Sequence, residues 1–402
     1  MKKIKIGIST DKFIFWGGGV DLIRLILNGL NSVREDRSYD ISIYVYIPYN
    51  SKIEIAIKNA LKKVINLFFN NRFELSSGNI NIPFIVETFQ SLDFPVKIIR
   101  YNGSQSNLGK KAIKDNIDFL MPLLSPFSSS FPIHWAGYIF DFQHKYYPEF
   151  FTNEEIEHRN VHFASLVREA KTVIVNAREV KNDIEKFIKE DHAKIVTLPF
   201  CPVLNMDFFS DFDISKYNLP TKYFMISNQF WIHKDHSTAF KAFKIFIENN
   251  ENEDISLVCT GQIVDFRFPN YYSELESLLA DLKITNRVLI LGYIPKIDQL
   301  QILKNAIAVI QPTLFEGGPG GGAVFESVAY GIPSIVSDIP VNLELEDESV
   351  TFFNVGSPID LVDKMNSIYN NPRAKYSFEE LMQKNKKRIL AMGEKLLEIV
   401  SS

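Results

Sequence analysis

The stretch that decides the fold is Ala306–Asp338, AIAVIQPTLFEGGPGGGAVFESVAYGIPSIVSD. The apolar run Ala306–Ile310 predicts a strand, which leads into a turn carrying Glu316. Gly317, Gly318, Gly320, Gly321 and Gly322 follow, interrupted only by Pro319. A short helix is expected next, with Glu326 in its first turn, closed by Gly331 and Pro333 before a second apolar strand, Ser334–Val336. Glycine has no Cβ, so the backbone can touch a bulky anion, and the N–H groups opening a helix are unpaired donors with a partial positive charge. Such a loop suits phosphate. The flanking carboxylates would repel phosphate but can accept hydrogen bonds from the hydroxyls of a ribose or hexose. Together they point to a nucleotide-sugar site. The plainer alternative, a flexible glycine turn with two solvated acids, is disfavoured by the excess of glycine over average usage.

The order strand, Pro-Thr-Leu-Phe-Glu-Gly, glycine turn, Glu-Ser-x-Ala-x-Gly-x-Pro-x-Ile-x-Ser-Asp resembles the signature of retaining glycosyltransferases of family 4, which have the GT-B fold. By that resemblance Glu316 contacts the donor sugar, Glu326 holds the nucleotide ribose, and the backbone amides of Gly321, Gly322 and Ala323 hold the diphosphate. The family spaces its two acids more closely than the ten positions from 316 to 326 here.

A chain of 402 residues, 46% of them hydrophobic, has the length and apolar content for two domains. The net charge of −4 carries no nucleic-acid footprint. Lys and Arg exceed Asp and Glu by 26 − 22 = 4 up to residue 200 and fall short by 26 − 18 = 8 after it. A mildly basic first half could face an acidic acceptor or an anionic membrane surface; chance is the alternative. Cys201 and Cys259 stand far apart with no CxxC or Cys/His cluster, so neither a disulfide framework nor a zinc site is indicated, and a cytoplasmic setting is expected. The N-terminal MKKIKIGIST is too interrupted for a signal peptide, and no apolar run is long enough to span a bilayer.

From the start, Ile4–Ile8 reads as a strand, followed by a loop to Trp16, then Gly17, Gly18 and Gly19, and an amphipathic helix Val20–Leu30. Strand, glycine turn, helix is a mononucleotide-type opening. It lacks G-x-G-x-x-G, and the second strand, Ile41–Ile47, ends in Pro48 without a ribose-binding acid, so a dinucleotide cofactor is not expected. The resemblance places Gly18 and Gly19 opposite the donor phosphates. Residues 52–69 form a basic amphipathic pattern that suits either a membrane surface or a helix covering a sheet. The segment Gly103–Lys111 mimics a phosphate loop but has five residues between its glycines instead of four, and a second Lys where Ser or Thr belongs.

Buried strands are expected over Ile117–Leu124 and Trp135–Phe140, the latter running into Asp141-Phe-Gln-His144. Polar groups just past the carboxyl end of a strand in an open α/β sheet sit at the ligand crevice. Asp141 and His144 are therefore candidates to act on an acceptor hydroxyl, His being the natural proton carrier near neutral pH; a structural His bonded to the Asp is the alternative. The segment is similar to Asp-x-Gln-His-x-x-x-Pro-Glu-x-Phe in family 4 enzymes that build bacterial polysaccharides, although many members carry His-Asp, which would place Phe140 at their His. Helices are expected over Glu154–Glu169 and Glu179–Lys189, with strands Thr172–Val175 and Ile195–Leu198.

A Pro-rich stretch near 200–218 divides the chain into 1–205, 206–376 and a terminal helical segment 377–402. Asp211-Phe-Asp213 falls in this linker and is assigned no metal. Strand Tyr223–Ser227 is followed by Asn228, Lys234 and a helix Ser237–Glu248 that Asp235 or Ser237 could cap. Lys234 near the positive end of that helix suits a diphosphate. In the family an Arg and this Lys hold the diphosphate, and here Asn228 or Gln229 stands in the Arg position. Further strands and helices alternate to Asn370; Gly292 and Tyr293, after strand Val288–Leu291, are candidates for the nucleobase.

The expected fold is GT-B: two Rossmann-like parallel sheets facing a cleft, the first domain taking the acceptor, the second the donor, with the last helix crossing back to the first. The resemblance implies transfer of a sugar from a UDP- or GDP-linked donor to a hydroxyl of a glycan or lipid-linked glycan acceptor in cell-surface polysaccharide synthesis. It further implies retained configuration and no requirement for a divalent metal, and it admits peripheral contact with the inner face of the cell membrane. The alternatives are a non-catalytic nucleotide- or glycan-binding subunit and an epimerase or phosphorylase of the same architecture.

Overall fold

The computed structural model describes residues 2–15, 17–34, 39–49, 89, 92, 94–189, 193–249 and 254–401. The amphipathic stretch 52–69 lies outside them. Two parallel sheets make up the framework. The first contains β1 (Lys2–Ser9), β2 (Tyr39–Tyr49), β3 (Lys97–Asn102), β4 (Phe119–Leu123), β5 (His134–Tyr138), β6 (Thr172–Val175) and β7 (Lys194–Thr197), in the order β3-β2-β1-β4-β5-β6-β7. The second contains β8 (Lys222–Ser227), β9 (Ile255–Thr260), β10 (Val288–Gly292), β11 (Val309–Gln311), β12 (Ser334–Ser337) and β13 (Val350–Phe353), in the order β10-β9-β8-β11-β12-β13. In both, the order reverses beside the first strand, which opens a crevice at the strands' carboxyl ends.

Parallel strands are covered on both faces, and strands inside the sheet such as β4 and β6 are buried at every position. Ile4, Ile6 and Ile8 pair with Ile41, Ile43 and Val45, all buried. β3 and the helix Gln105–Lys114, capped by Ser104, follow no expectation from sequence, and the helix occupies most of the stretch that mimics a phosphate loop. The terminal helix Phe378–Ser401 packs on the helix Gly17–Ser32 of the first domain. A Cβ on Gly393 would stand 2.4 Å from the Gly29 carbonyl oxygen, so the two backbones are in direct contact. No helix among the described residues is long and apolar enough to cross a membrane.

The two domains also meet through a carboxylate. Glu344 of the second domain accepts from the N–H groups of Arg178 (2.8 Å) and Glu179 (2.7 Å), the first residues of the helix Arg178–Phe187. That helix has Ala177 at its N-cap and no side-chain cap of its own, so two of its orphan donors are satisfied from across the domain boundary.

Candidate active site

β11 ends in Gln311, fully buried, and continues through Pro312 into the loop that carries Glu316. Leu314 N–H and Thr313 Oγ1 both donate to the His233 carbonyl, at 2.8 and 3.1 Å, fastening this loop to the turn after β8. That turn, Ile232–Lys234, is stopped by Asp235 in the left-handed conformation (φ 46°). The Asp235 carboxylate accepts from Thr238 N–H at 3.2 Å and caps the helix His236–Asn249, as the sequence suggested.

These anchors bring Lys234 to Glu316, with Nζ 2.5 Å from Oε1 and side chains only 9% and 10% exposed. Gln311 Nε2 donates to the same Glu316 oxygen at 2.8 Å, and its own Oε1 accepts from Asn228 Nδ2 at 2.6 Å. Asn228 thus orients an amide that orients the acid. Gln311 was not singled out from sequence, since a polar residue closing an apolar strand carries no periodic signal.

The glycine loop folds around this carboxylate. Gly320 and Gly321 adopt φ of 69° and 61°, and a Cβ on Gly321 would meet the Glu316 carboxyl group at 2.9 Å. Glu316 therefore lies against the start of the helix Gly321–Ala329 despite its wider spacing from Glu326. Gly320 N–H donates to Asn342 Oδ1 at 2.8 Å, while Asn342 Nδ2 donates to the Ser337 carbonyl at 2.9 Å, clamping the loop to the end of β12. Among the described residues no acceptor takes the N–H of Gly322 or Ala323, and open space surrounds Gly322. Glu326 sits in the second turn of this helix, not the first, because the helix begins at Gly321. Its carboxylate pairs with Lys296 and accepts from Gln299 Nε2 at 3.0 Å, which also donates to Ser227 Oγ at 2.5 Å.

The first domain closes over the loop from the opposite side. A Cβ on Gly317 would stand 2.7 Å from the Phe140 carbonyl oxygen, and one on Gly318 would stand 2.6 Å from Asn176 Nδ2. Tyr147 Oη donates to the Leu314 carbonyl at 3.3 Å. Asp141 accepts from Gln143 N–H at 2.9 Å and lies 3.7 Å from Arg159. Burial raises its pKa; Arg159 and the Gln143 N–H oppose that rise, and Glu316 adds to it. Asp141 also lies against the loop, since a Cβ on Gly317 would stand 3.4 Å from its Oδ2.

His144 does not join them. It is 1% exposed, Nε2 lies 3.1 Å from Asn160 Oδ1, and rings of Phe142, Phe151 and Phe163 surround it. Burial lowers its pKa to about 4. A neutral ring giving its Nε2 hydrogen to Asn160 leaves Nδ1 as a buried acceptor without a partner. Its hydrogen bond runs to Asn160, not to Asp141.

Gly18 is exposed and Gly19 buried at the start of the helix Gly17–Ser32, and Phe325, beside Glu326, packs on the first domain's core. Gly292 takes a φ of 67° and its carbonyl accepts from Gly261 N–H at 2.8 Å; the next residue, Tyr293, is 81% exposed. In the linker, Asp211 pairs with Lys304 at 2.9 Å and Asp213 accepts from Ser215 N–H at 2.9 Å.

Residues 207–388 match the family described as Glycosyl transferases group 1. No curated protein matches the chain. Among solved structures, the chain is similar to Anabaena HepE in complex with UDP and glucose, at 13% identity and a TM-score of 0.56, over 99% of this chain and 96% of that one. It is similar to a glycosyltransferase from Rickettsia africae, at 14% identity and a TM-score of 0.57, over 100% and 98% of the two chains. WaaG, a glycosyltransferase involved in lipopolysaccharide biosynthesis, matches at 11% identity and a TM-score of 0.56, over 99% and 100%. At these identities the likeness is one of fold. The chain therefore has the GT-B fold, and the family match lies in its second half, over the segment that holds Lys234, Glu316 and the glycine loop.

Proposed function

We propose that the protein moves a sugar from a nucleoside diphosphate donor to a hydroxyl of a glycan or glycolipid acceptor, with anomeric configuration retained. The observation that carries this reading is the convergence of Lys234, Glu316, Gly321 and the free N–H groups of Gly322 and Ala323 at one helix entrance. In this reading the diphosphate takes Lys234 and the two amides, which meet the charge that builds on the leaving group. Glu316 accepts from the donor sugar's hydroxyls, and Glu326, held by Gln299 and Lys296, from the ribose. Tyr293 offers an exposed ring beside the base position. In the same reading Asp141, against Gly317, serves the acceptor side, while His144 serves packing. Contact of the two domains around the loop excludes water, which would otherwise hydrolyse the donor.

An amide, Asn228 or Gln229, where the resemblance expects an Arg favours a second reading, a nucleotide-binding subunit without chemistry. Incubating the purified protein with UDP-, GDP- and ADP-sugars and a glycan acceptor panel separates the two. The transferase reading requires a released nucleoside diphosphate together with a glycosylated product. Binding without product supports the subunit, and an isomerised sugar an epimerase.

A further inference from the structure

We propose that Glu316 competes with the donor's diphosphate for Lys234, so that the protein holds a nucleotide sugar firmly and a bare nucleoside diphosphate weakly. The inference rests on the reading of this loop as the donor site and assigns its selectivity to one contact.

Three observations carry it. Lys234 is enclosed, and its ammonium is 2.5 Å from the Glu316 carboxylate, so an anion reaching it must displace that oxygen. The carboxylate is not a loosely held loop acid: Gln311 fixes the engaged oxygen, Asn228 fixes Gln311, and the space a Cβ would fill at Gly321 is taken by the carboxyl group itself. Glu316 thus stands at the opening of the helix, the position that suits a phosphate. Finally, a second carboxylate, Asp141, lies against the residue after Glu316: a Cβ on Gly317 would stand 3.4 Å from its Oδ2.

A diphosphate outcompetes a carboxylate for Lys234 because it brings more charge and more acceptor oxygens. Once displaced, Glu316 keeps Gln311 as a donor but has lost its cation. A donor sugar replaces that loss with hydroxyl hydrogen bonds, whereas a bare nucleotide leaves the acid facing phosphate. The apparent affinity for the nucleotide alone is reduced by the fraction of protein in which Lys234 is free, so the spent nucleotide leaves more readily than the donor.

The test is calorimetric titration of the full chain and of E316Q and E316D with UDP, GDP and ADP, and with UDP-glucose, GDP-mannose and ADP-glucose. Glu316→Gln removes the charge, while Glu316→Asp keeps it and withdraws it from Lys234 by one methylene. Circular dichroism identifies any variant that is unfolded. The expected result is that the nucleotide bound by the wild type binds about tenfold tighter to both variants. Both variants should also lose most of the preference for the matching nucleotide sugar. Unchanged or weaker nucleotide binding in both variants, or tightening in E316Q alone, overturns the competition. If none of these ligands binds the wild type, the donor-site reading fails and the competition with it.

Discussion

Replacing Glu344 by Ala should loosen the start of the helix Arg178–Phe187 in the other domain, by an amount the structure allows to be worked out. The carboxylate accepts two backbone N–H bonds, at 2.8 and 2.7 Å, and lies 3.4 Å from the Arg178 guanidinium. Loss of an N-cap acceptor costs about 0.5–2 kcal/mol, and a charged acceptor on two donors belongs at the upper end. The Arg178 side chain is 65% exposed, so solvent screens its ion pair to a minor addition of under about 1 kcal/mol. The total is about 2 kcal/mol, or roughly a 30-fold change in a local opening equilibrium. Hydrogen exchange reads this directly: amides of residues 178–181 should exchange roughly 30-fold faster in E344A. Those in the helix His236–Asn249, to which Glu344 makes no hydrogen bond, should be unchanged. Glu344→Gln keeps an acceptor and should show a smaller acceleration. Equal exchange rates in wild type and E344A would refute the assignment of this carboxylate as the helix's cap.

Gly321→Ala puts a Cβ within 2.9 Å of the Glu316 carboxyl group at a φ of 61°, a left-handed conformation that costs Ala about 1–2 kcal/mol. Transfer should fall at least tenfold while circular dichroism stays native. Gly393→Ala forces apart the helices Gly17–Ser32 and Phe378–Ser401 and should cost about 1–3 kcal/mol, read as earlier proteolytic release of the terminal helix. Acid should destabilise the protein through three histidines, His144, His233 and His236, whose pKa values burial lowers to about 4, 2 and 3. Their folded values lie below the unfolded value of about 6.5, so the unfolded chain binds more protons and stability falls as pH drops below about 6.5. Each contributes up to about 1.4 kcal/mol per pH unit, and H236F should flatten urea-midpoint profiles between pH 6.5 and 4. A slope identical to wild type would contradict this.

Most strands were legible because parallel strands buried on both faces leave unbroken apolar runs, as in Val173–Val175 or Phe224–Ile226. β3 escaped because KIIRYN lies at the sheet edge and alternates exposed with buried residues, with Lys97 and Arg100 breaking the run. The glycine loop and its two acids were readable from composition and order, and the cap by Asp235 from its place before an apolar helix. Long-range partners were not. Gln311 meets Asn228 across 83 positions and Glu344 meets Arg178 across 166, and no local pattern announces either. His144 looked free for chemistry because it follows a strand; the ring of Phe163, from the helix Asn153–Glu169, helps enclose it. The start of the helix at Gly321, which moves Glu326 to the second turn, follows from two successive positive-φ glycines that the sequence permits but does not dictate.

The central claim is that Lys234 and the helix entrance at Gly321–Ala323 bind the linked phosphates of a nucleotide sugar. Calorimetric titration of wild type and K234M with the donor that supports transfer tests it most directly. Removing a buried cation with charge-assisted hydrogen bonds to phosphate should cost about 2–3 kcal/mol, so K234M is expected to bind that donor roughly 30- to 150-fold more weakly. Equal affinity in the two proteins would contradict the account.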